Sequence, residues 1–250
     1  MKKVMVGMSG GVDSSAAAML LKNQGYDVIG VTLQMFSDED IANAQKDGKT
    51  VCALSGIMDA KRVSESIGIE HLVFDFRDIF RKNVMQPFVD CYLCGSTPNP
   101  CIECNKNVKF GEMLNKALEL GYDYIATGHY ALTEFDEKTG RWLLKRPKDR
   151  SKDQTYVLYT LTQKQLSHIL FPLYGLEKSQ IREIASQAGL VNSQKADSQD
   201  ICFIPDGKYA EFIKNNTDSE ISKGDFLNMN GETIGRHNGI INYTIGQRKG

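Results

Sequence analysis

Two groups of residues in this sequence could do covalent chemistry. The first is Gly7-Met8-Ser9-Gly10-Gly11-Val12-Asp13-Ser14-Ser15. Its glycines let backbone amides approach a ligand with no Cβ in the way. Its serines add hydroxyl donors, and Asp13 adds a carboxylate. The second group is the cysteines: Cys101-x-x-Cys104 in a proline-rich stretch, and Cys202 far downstream. Thiols of this kind carry sulfur as a persulfide, close a disulfide, or ligate a metal or cluster.

The elements around the glycine loop decide what it can hold. Lys2-Lys3-Val4-Met5-Val6 predicts a buried strand, and Ser15 to Lys22, rich in helix formers, predicts a helix. The glycines sit where strand hands over to helix. Unpaired N–H groups and the positive end of the helix dipole make that an anion site. Neither G-x-x-x-x-G-K-[ST] nor G-x-G-x-x-G is present. Ser9-Gly10-Gly11-Val12-Asp13-Ser14 instead resembles the pyrophosphate loop of ATP pyrophosphatases, which cut ATP between the α- and β-phosphates and adenylate a substrate oxygen. An ordinary glycine-rich turn is the plainer alternative, but six matching residues in the right context weigh against it.

The cysteines admit three readings. Cys104 and Cys202 could be redox thiols, one carrying persulfide sulfur and the other releasing it, with Lys106 and Lys109 favouring thiolates. Alternatively they hold a metal. Cys91-x2-Cys94-x6-Cys101-x2-Cys104 has the ligand count of structural zinc, though its spacer is short for a zinc ribbon. Cys101, Cys104 and Cys202 could also hold three corners of an iron–sulfur cluster. The third reading is small buried hydrophobes, which suits Cys52.

Bulk properties bound the rest. The chain has 250 residues, 41% of them hydrophobic, and a formal net charge of −1. No run of about 18 apolar residues predicts a membrane span, and the chain opens directly on a strand with no room for a signal peptide. A soluble cytoplasmic protein is expected, in which cysteines serve chemistry more than disulfides. Six basic residues (Arg141, Lys145, Arg146, Lys148, Arg150, Lys152) lie between 141 and 152, against Asp149 alone. That is a solvated loop or a phosphate-backbone contact.

Strand patterns at 27–33, 70–76 and 122–127 alternate with helical patterns at 58–66, 79–88 (interrupted by Pro87) and 108–120. This order predicts an α/β fold with a parallel, doubly wound sheet. Residues 37–49 are expected to form a loop or short helix. Residues 91–105 are expected to be a loop because of Pro98 and Pro100. Residues 142–144 predict a short strand, and 163–170 and 178–188 predict helices. Residues 198–205 predict a loop running into a strand. From about residue 206 glycines recur among short β-rich pieces, which predicts domains at 1–205 and 206–250. Strand ends in such a sheet hold ligands, placing the Ser9 loop, Leu33 and Gly128 on one rim.

Six motifs recur in order over essentially the whole length: Gly7-Met-Ser-Gly-Gly-Val-Asp-Ser14, Thr97-Pro-Asn-Pro-Cys101-x-x-Cys104-Asn105, Ala126-Thr-Gly-His129-Tyr130, Lys152-Asp-Gln-x-Tyr156, Asp197-Ser-x-x-Ile-Cys202-Phe203-Ile204 and Thr244-x-Gly-Gln-Arg-Lys-Gly250. Together they resemble the tRNA-specific 2-thiouridylases (tRNA-uridine 2-sulfurtransferases) of the pyrophosphate-loop superfamily. The resemblance implies ATP-dependent 2-thiolation of the wobble uridine of tRNA. It implies that Gly7, Met8, Ser9, Gly10, Gly11, Val12, Asp13 and Ser14 bind ATP with Mg²⁺, beside Leu33 and Gly128. Cys104 would be the nucleophile, Cys202 the persulfide carrier, and Asp13 a catalytic carboxylate. Asn99, Pro100 and Cys101 would line the target base, and His129, Lys152, Asp153 and Gln154 would touch tRNA. A cysteine desulfurase or sulfur-relay protein would supply the sulfur.

The chain departs from the pattern where many members have Asp at the position of Cys101 and Met at that of Leu33. Members with the Cys-x-x-Cys version resemble cluster-binding thiolases, in which a [4Fe-4S] cluster on Cys101, Cys104 and Cys202 would deliver sulfide. Cys91 and Cys94 lie outside the pattern. The resemblance also implies a β-barrel domain beyond Gly250, which leaves the second domain incomplete here. An adenylating ligase of the same superfamily and a zinc-bearing RNA-binding module are the competing classes; the cysteine stretch argues against the first, and the second predicts stoichiometric zinc, no ATP binding and no effect of Asp13→Ala.

Overall fold

The computed structural model describes residues 1–37, 52–196, 201–205 and 207–248, with the backbone alone for 52–55. The expectations for 38–49 and 198–200 fall outside the described residues, as does the side chain of Cys52.

The strands are β1 (Lys3–Gly7), β2 (Asp27–Gln34), β3 (Glu70–Asp75), β4 (Tyr124–Ala126), β5 (Leu132–Asp136), β6 (Arg141–Lys145), β7 (Ile169–Leu170), β8 (Gly224–Leu227) and β9 (Thr233–His237). Five form one sheet in the order β3-β2-β1-β4-β7. All four pairings are parallel. The chain therefore starts at the centre, winds outward to β3, and returns past its start to β4. The reversal leaves a crevice between the carboxyl ends of β1 and β4, where ligands bind in sheets of this kind. The α/β doubly wound architecture read from the sequence is thus observed.

Period-two alternation sorts β1 between two cores. Val4 and Val6 face one side, with Ala17 and Leu21 of the helix Val12–Asn23, Ala60 and Val63 of Cys52–Ile67, and Ile181 and Ala185 of Lys178–Gln187. Met5 faces the other, with Phe80, Val84, Val108, Phe110 and Met113.

Several expectations are corrected. Pro87 does not break its helix: Arg77–Phe80 and Gln86–Leu93 run on through a π-turn at Arg81–Met85. Widening the turn accommodates a residue with no N–H to give, and Asn83 Nδ2 donates to the Ile79 carbonyl at 3.0 Å. Residues 91–105 are not one loop. Residues 91–93 finish that helix, and a new one opens at Pro100–Glu103, continuing as a π-helix Cys104–Glu112 and an α-helix Met113–Glu119. Asn99 is its N-cap and Pro100 its first residue, a start signal of known physics that the two prolines disguised as loop.

Further on, the helix at 163–170 stops at Leu166, and Ile169–Leu170 becomes the fifth strand. The basic segment is part of an antiparallel hairpin, β5 with β6, of which only the second strand was anticipated. Residues 201–205 form turns with no strand. Residues 207–248 contain the β8–β9 hairpin but also a helix, Tyr209–Asn215. Ile213 and Ile241 pack there on Phe88, Val89 and Tyr92. No helix among the described residues is long and apolar enough to cross a membrane.

Candidate active site

The glycine loop leaves β1 and enters the helix Val12–Asn23 with Gly11 as N-cap and no side-chain cap. The first-turn amides are thus left to a ligand. Gly10 has φ 75°, a conformation glycine adopts at no steric cost. A Cβ there would also lie 2.4 Å from the Gly56 carbonyl oxygen, so the loop backbone touches the backbone of the neighbouring helix.

Short bonds hold the loop's shape. Thr32 Oγ1 donates to the Met8 carbonyl at 2.8 Å, Ser14 Oγ accepts from Ser9 N at 3.2 Å, and Ser15 Oγ donates to the Gly11 carbonyl at 3.0 Å. The side chains of Met8 and Val12 are buried in the core, so these two offer a ligand only their backbone. Leu33 is half-buried at the end of β2 and packs on the core.

Gly128, in the loop after β4, meets the helix N-terminus. A Cβ there would sit 2.6 Å from Ser14 N and 2.7 Å from the Asp13 carbonyl carbon. Both are backbone atoms that cannot swing aside, so Gly128→Ala must push the helix start out of place. Such overpacking costs about 1–3 kcal/mol. We expect a melting midpoint lower by several degrees and ATP binding weakened at least about tenfold. Calorimetry and ATP titration read both, and an unchanged midpoint with unchanged affinity would refute the close approach.

Asp13 is built into a polar cluster that local spacing could not reveal. Lys178 Nζ donates to its two carboxylate oxygens at 2.8 and 2.7 Å, and Tyr130 Oη donates to Oδ1 at 2.8 Å. Asn192, also buried, donates to the Gly10 carbonyl at 3.1 Å and to Ser15 Oγ at 2.8 Å. Lys195 Nζ reaches the Gly10 carbonyl at 3.3 Å and Asp59 at 2.7 Å. Arg182 holds the segment carrying Lys195 through the carbonyls of Ser193 and Lys195. Tyr130 lies in a motif noted above; Lys178, Asn192, Lys195 and Asp59 carried no sequence signal linking them to residue 13.

The cysteines lie at the start of the Pro100 helix and beyond it. Asn99 Oδ1 accepts from Cys101 N at 3.1 Å. Asn99 and Cys101 are exposed, and Pro100 and Cys104 are buried. Burial raises the Cys104 thiol, and the neighbouring Lys109 pulls it partly back. Cys202 is pushed up to about 12, by burial first and then by Cys104, with Lys109 again opposing. The Cys202 residue surface nonetheless reaches solvent. The effect of Cys104 on Cys202 sets the two thiols within electrostatic reach.

Among the described residues no three His, Cys, Asp or Glu side chains stand together so as to hold a metal ion. Cys101, Cys104 and Cys202 are nonetheless near one another: Cys104 and Cys101 both raise the Cys202 thiol, and Cys101 raises that of Cys104.

His129, expected at the tRNA surface, is buried. Its Nδ1 pairs with Thr127 Oγ1 at 2.8 Å, and its ring lies 5.6 Å from Phe110. Burial holds it well below the usual histidine range, and Lys109 adds to that, so it is a neutral prop for the loop after β4. Asp153 receives Arg146 Nε at 3.2 Å and the hydroxyl of Thr155 at 2.7 Å. Gln154 exchanges bonds with the Tyr130 backbone at 3.0 and 3.2 Å.

Comparison with known proteins completes the picture. Residues 2–206 match the family described as tRNA methyl transferase HUP domain, and residues 210–250 match its PRC-barrel domain. A tRNA-specific 2-thiouridylase of Thermoanaerobacter pseudethanolicus is 54% identical over 248 residues, covering 99% of this chain and 68% of the relative. One of Clostridioides difficile is 52% identical over 249 residues, covering 100% and 68%. This chain belongs to the tRNA-specific 2-thiouridylase family. Membership of that family bears out the resemblance read from the six ordered motifs. Among solved structures, NMN synthetase from Francisella tularensis aligns over 88% of this chain and 79% of its own at TM-score 0.46 and 18% identity, too loose a likeness to carry any inference. The thiouridylase relatives thus account for a pyrophosphate-type loop and paired thiols in one chain.

Proposed function

We propose that this chain thiolates carbon 2 of the wobble uridine of tRNA, at the expense of ATP, through a persulfide on Cys202. The matched family descriptions speak of methyl transfer and the relatives' names of thiolation; the thiols of Cys104 and Cys202 favour thiolation. The observation that supports the reading is the pairing of two half-sites: a helix N-terminus with no side-chain cap beside Asp13 and Lys178, and Cys104 close enough to Cys202 for its charge to raise that thiol.

ATP, with its Mg²⁺, would lie with its phosphates on the amides of Gly10 to Ser14. The uridine 2-oxygen attacks the α-phosphorus, and pyrophosphate leaves onto those amides, which stabilise the growing charge. Carbon 2 then carries AMP, a far better leaving group than oxide. The outer sulfur of the Cys202 persulfide attacks carbon 2 and AMP departs. The Cys104 thiolate next attacks the Cys202 sulfur, breaking its bond to the transferred sulfur. The nucleoside keeps that sulfur as 2-thiouridine, and a Cys104–Cys202 disulfide remains for an external thiol reductant to clear. The base must leave the anticodon stack to be reached. Asn99 and Cys101, exposed at the helix start, are the residues we propose beside it, with Pro100 fixing that start. We propose Lys152, Asp153 and Gln154 for the tRNA side, and a cysteine desulfurase or sulfur-relay protein as the sulfur donor.

Mass spectrometry of nucleosides from tRNA incubated with the protein, ATP and a sulfur source tests the reading. The expected product is 2-thiouridine, formed with AMP and pyrophosphate and dependent on all three components. Its absence with a persulfide-loaded protein would overturn the proposal.

A further inference from the structure

The segment 150–159 ties the two half-sites together and shows two large aromatic side chains to solvent. Within it Val157 and Leu158 are buried, while Tyr156 is 62% and Tyr159 is 69% exposed. The turn is made by a 3-10 helix, Thr155–Val157, closed by Leu158 N donating to the Thr155 carbonyl at 3.0 Å. It is anchored on both sides. Gln154 is bonded to the backbone of Tyr130, whose hydroxyl reaches Asp13 in the ATP half. The Val157 carbonyl accepts from Asn105 Nδ2 at 3.4 Å, and Asn105 follows the buried Cys104. The exposed rings are therefore carried on a ridge strung between adenylation site and thiols.

The same ridge is cationic. Arg146, Lys148, Arg150 and Lys152 precede the rings within one short stretch. Two acids lie in that stretch, Asp149 and Asp153; Asp153 is held ionised and faces Arg146 and Arg150, and Lys148 pairs with Glu177 at 3.5 Å. Exposed aromatic faces beside a cationic track are the general means of holding unstacked, single-stranded nucleotides: cations follow the phosphates and rings take the bases. An isolated exposed tyrosine needs no explanation. Two of them three residues apart, fixed by buried neighbours on a cationic ridge between two reactive centres, do.

We infer that Tyr156 and Tyr159 form a stacking platform for the anticodon-loop bases next to the flipped uridine. The inference rests on the tRNA reading above. Stacking on such a platform replaces the stacking that neighbouring bases lose when the uridine leaves the loop, and so lowers the cost of presenting it. Each ring would act by position; neither touches the reacting atoms.

The test is tRNA binding by the whole protein, read by 2-aminopurine placed beside the wobble position. Tyr156→Ala and Tyr159→Ala should each weaken tRNA binding roughly 5- to 100-fold and abolish the quenching of 2-aminopurine. The phenylalanine variants should keep both. ATP affinity should be unchanged in all four. The salt dependence of binding should keep its slope in the tyrosine variants and fall in Lys152→Ala, since only the lysine is expected to meet phosphate. Alanine variants with wild-type tRNA affinity and quenching overturn the inference. So does a thiolation defect seen only when a protein sulfur donor replaces a small-molecule persulfide donor, which would make the ridge a protein-docking surface. A wild-type protein that binds no tRNA would instead sink the functional reading itself.

Discussion

Cys202→Ser leaves ATP cleavage running and stops sulfur from reaching the base. Pyrophosphate release in the presence of tRNA should stay within about threefold of wild type, because the amides at Gly10 to Ser14 and the Asp13–Lys178 pair are untouched. The yield of 2-thiouridine should drop by a factor on the order of 10³ or more, the scale on which covalent catalysts fail without their nucleophile. Thiolation surviving the change would remove Cys202 from its role. The pH profile supplies a second reading of the same site. Both thiols are raised, chiefly by burial. A raised thiol is protonated at neutral pH, and its reactive thiolate grows as pH climbs towards the raised value. Alkylation of Cys104 should therefore keep rising beyond the ordinary thiol value of 9.0. Lys109→Ala, which removes the opposing cation, should slow it at neutral pH and let the rates converge once pH passes the raised value.

The second large effect is expected at Lys178. Its ammonium sits 2.7 and 2.8 Å from the Asp13 oxygens at the start of the helix Val12–Asn23. In the proposed reaction that cation would stand beside the amides on which charge grows as pyrophosphate departs. A fixed charge aimed at developing charge is worth about 10²–10³ in rate. Lys178→Ala should thus cut pyrophosphate release about 100-fold, with persulfide loading of Cys202 unaffected and partial recovery in Lys178→Arg. Some stability goes with it, on the order of 1 kcal/mol, since Asp13 loses an ionic partner but still meets solvent. ATP cleavage within about threefold of wild type would leave Lys178 a merely structural ion pair.

What could be read from residues alone follows from how local each signal is. The glycine loop, its strand and its helix are consecutive, so periodicity and turn chemistry exposed them together. The parallel, doubly wound architecture followed from alternation of strand and helix. The helix start at Pro100 was legible in principle, since Asn99 and Pro100 are a cap and a first-turn proline, but Pro98 beside them favoured a loop. The fifth strand, Ile169–Leu170, is two residues long and has no period to detect. Lys178, Asn192 and Lys195 reach the loop only through tertiary folding, across more than 160 positions of chain. His129 lay in a motif, yet its burial against Phe110 depends on how the π-helix Cys104–Glu112 packs.

The bond from Asn105 to the Val157 carbonyl has a thermodynamic consequence. It joins the residue after Cys104 to the turn that presents Tyr156 and Tyr159. Coupling of that kind is reciprocal: whatever factor a bound RNA applies to ionising the Cys104 thiol, the ionised thiol applies to RNA affinity. Under the proposed function, a Cys104 closed in a disulfide cannot ionise and loses whatever share of RNA affinity the thiolate supplies. In the proposed cycle, release of the tRNA and reduction of the cysteines are linked through that one coupling free energy.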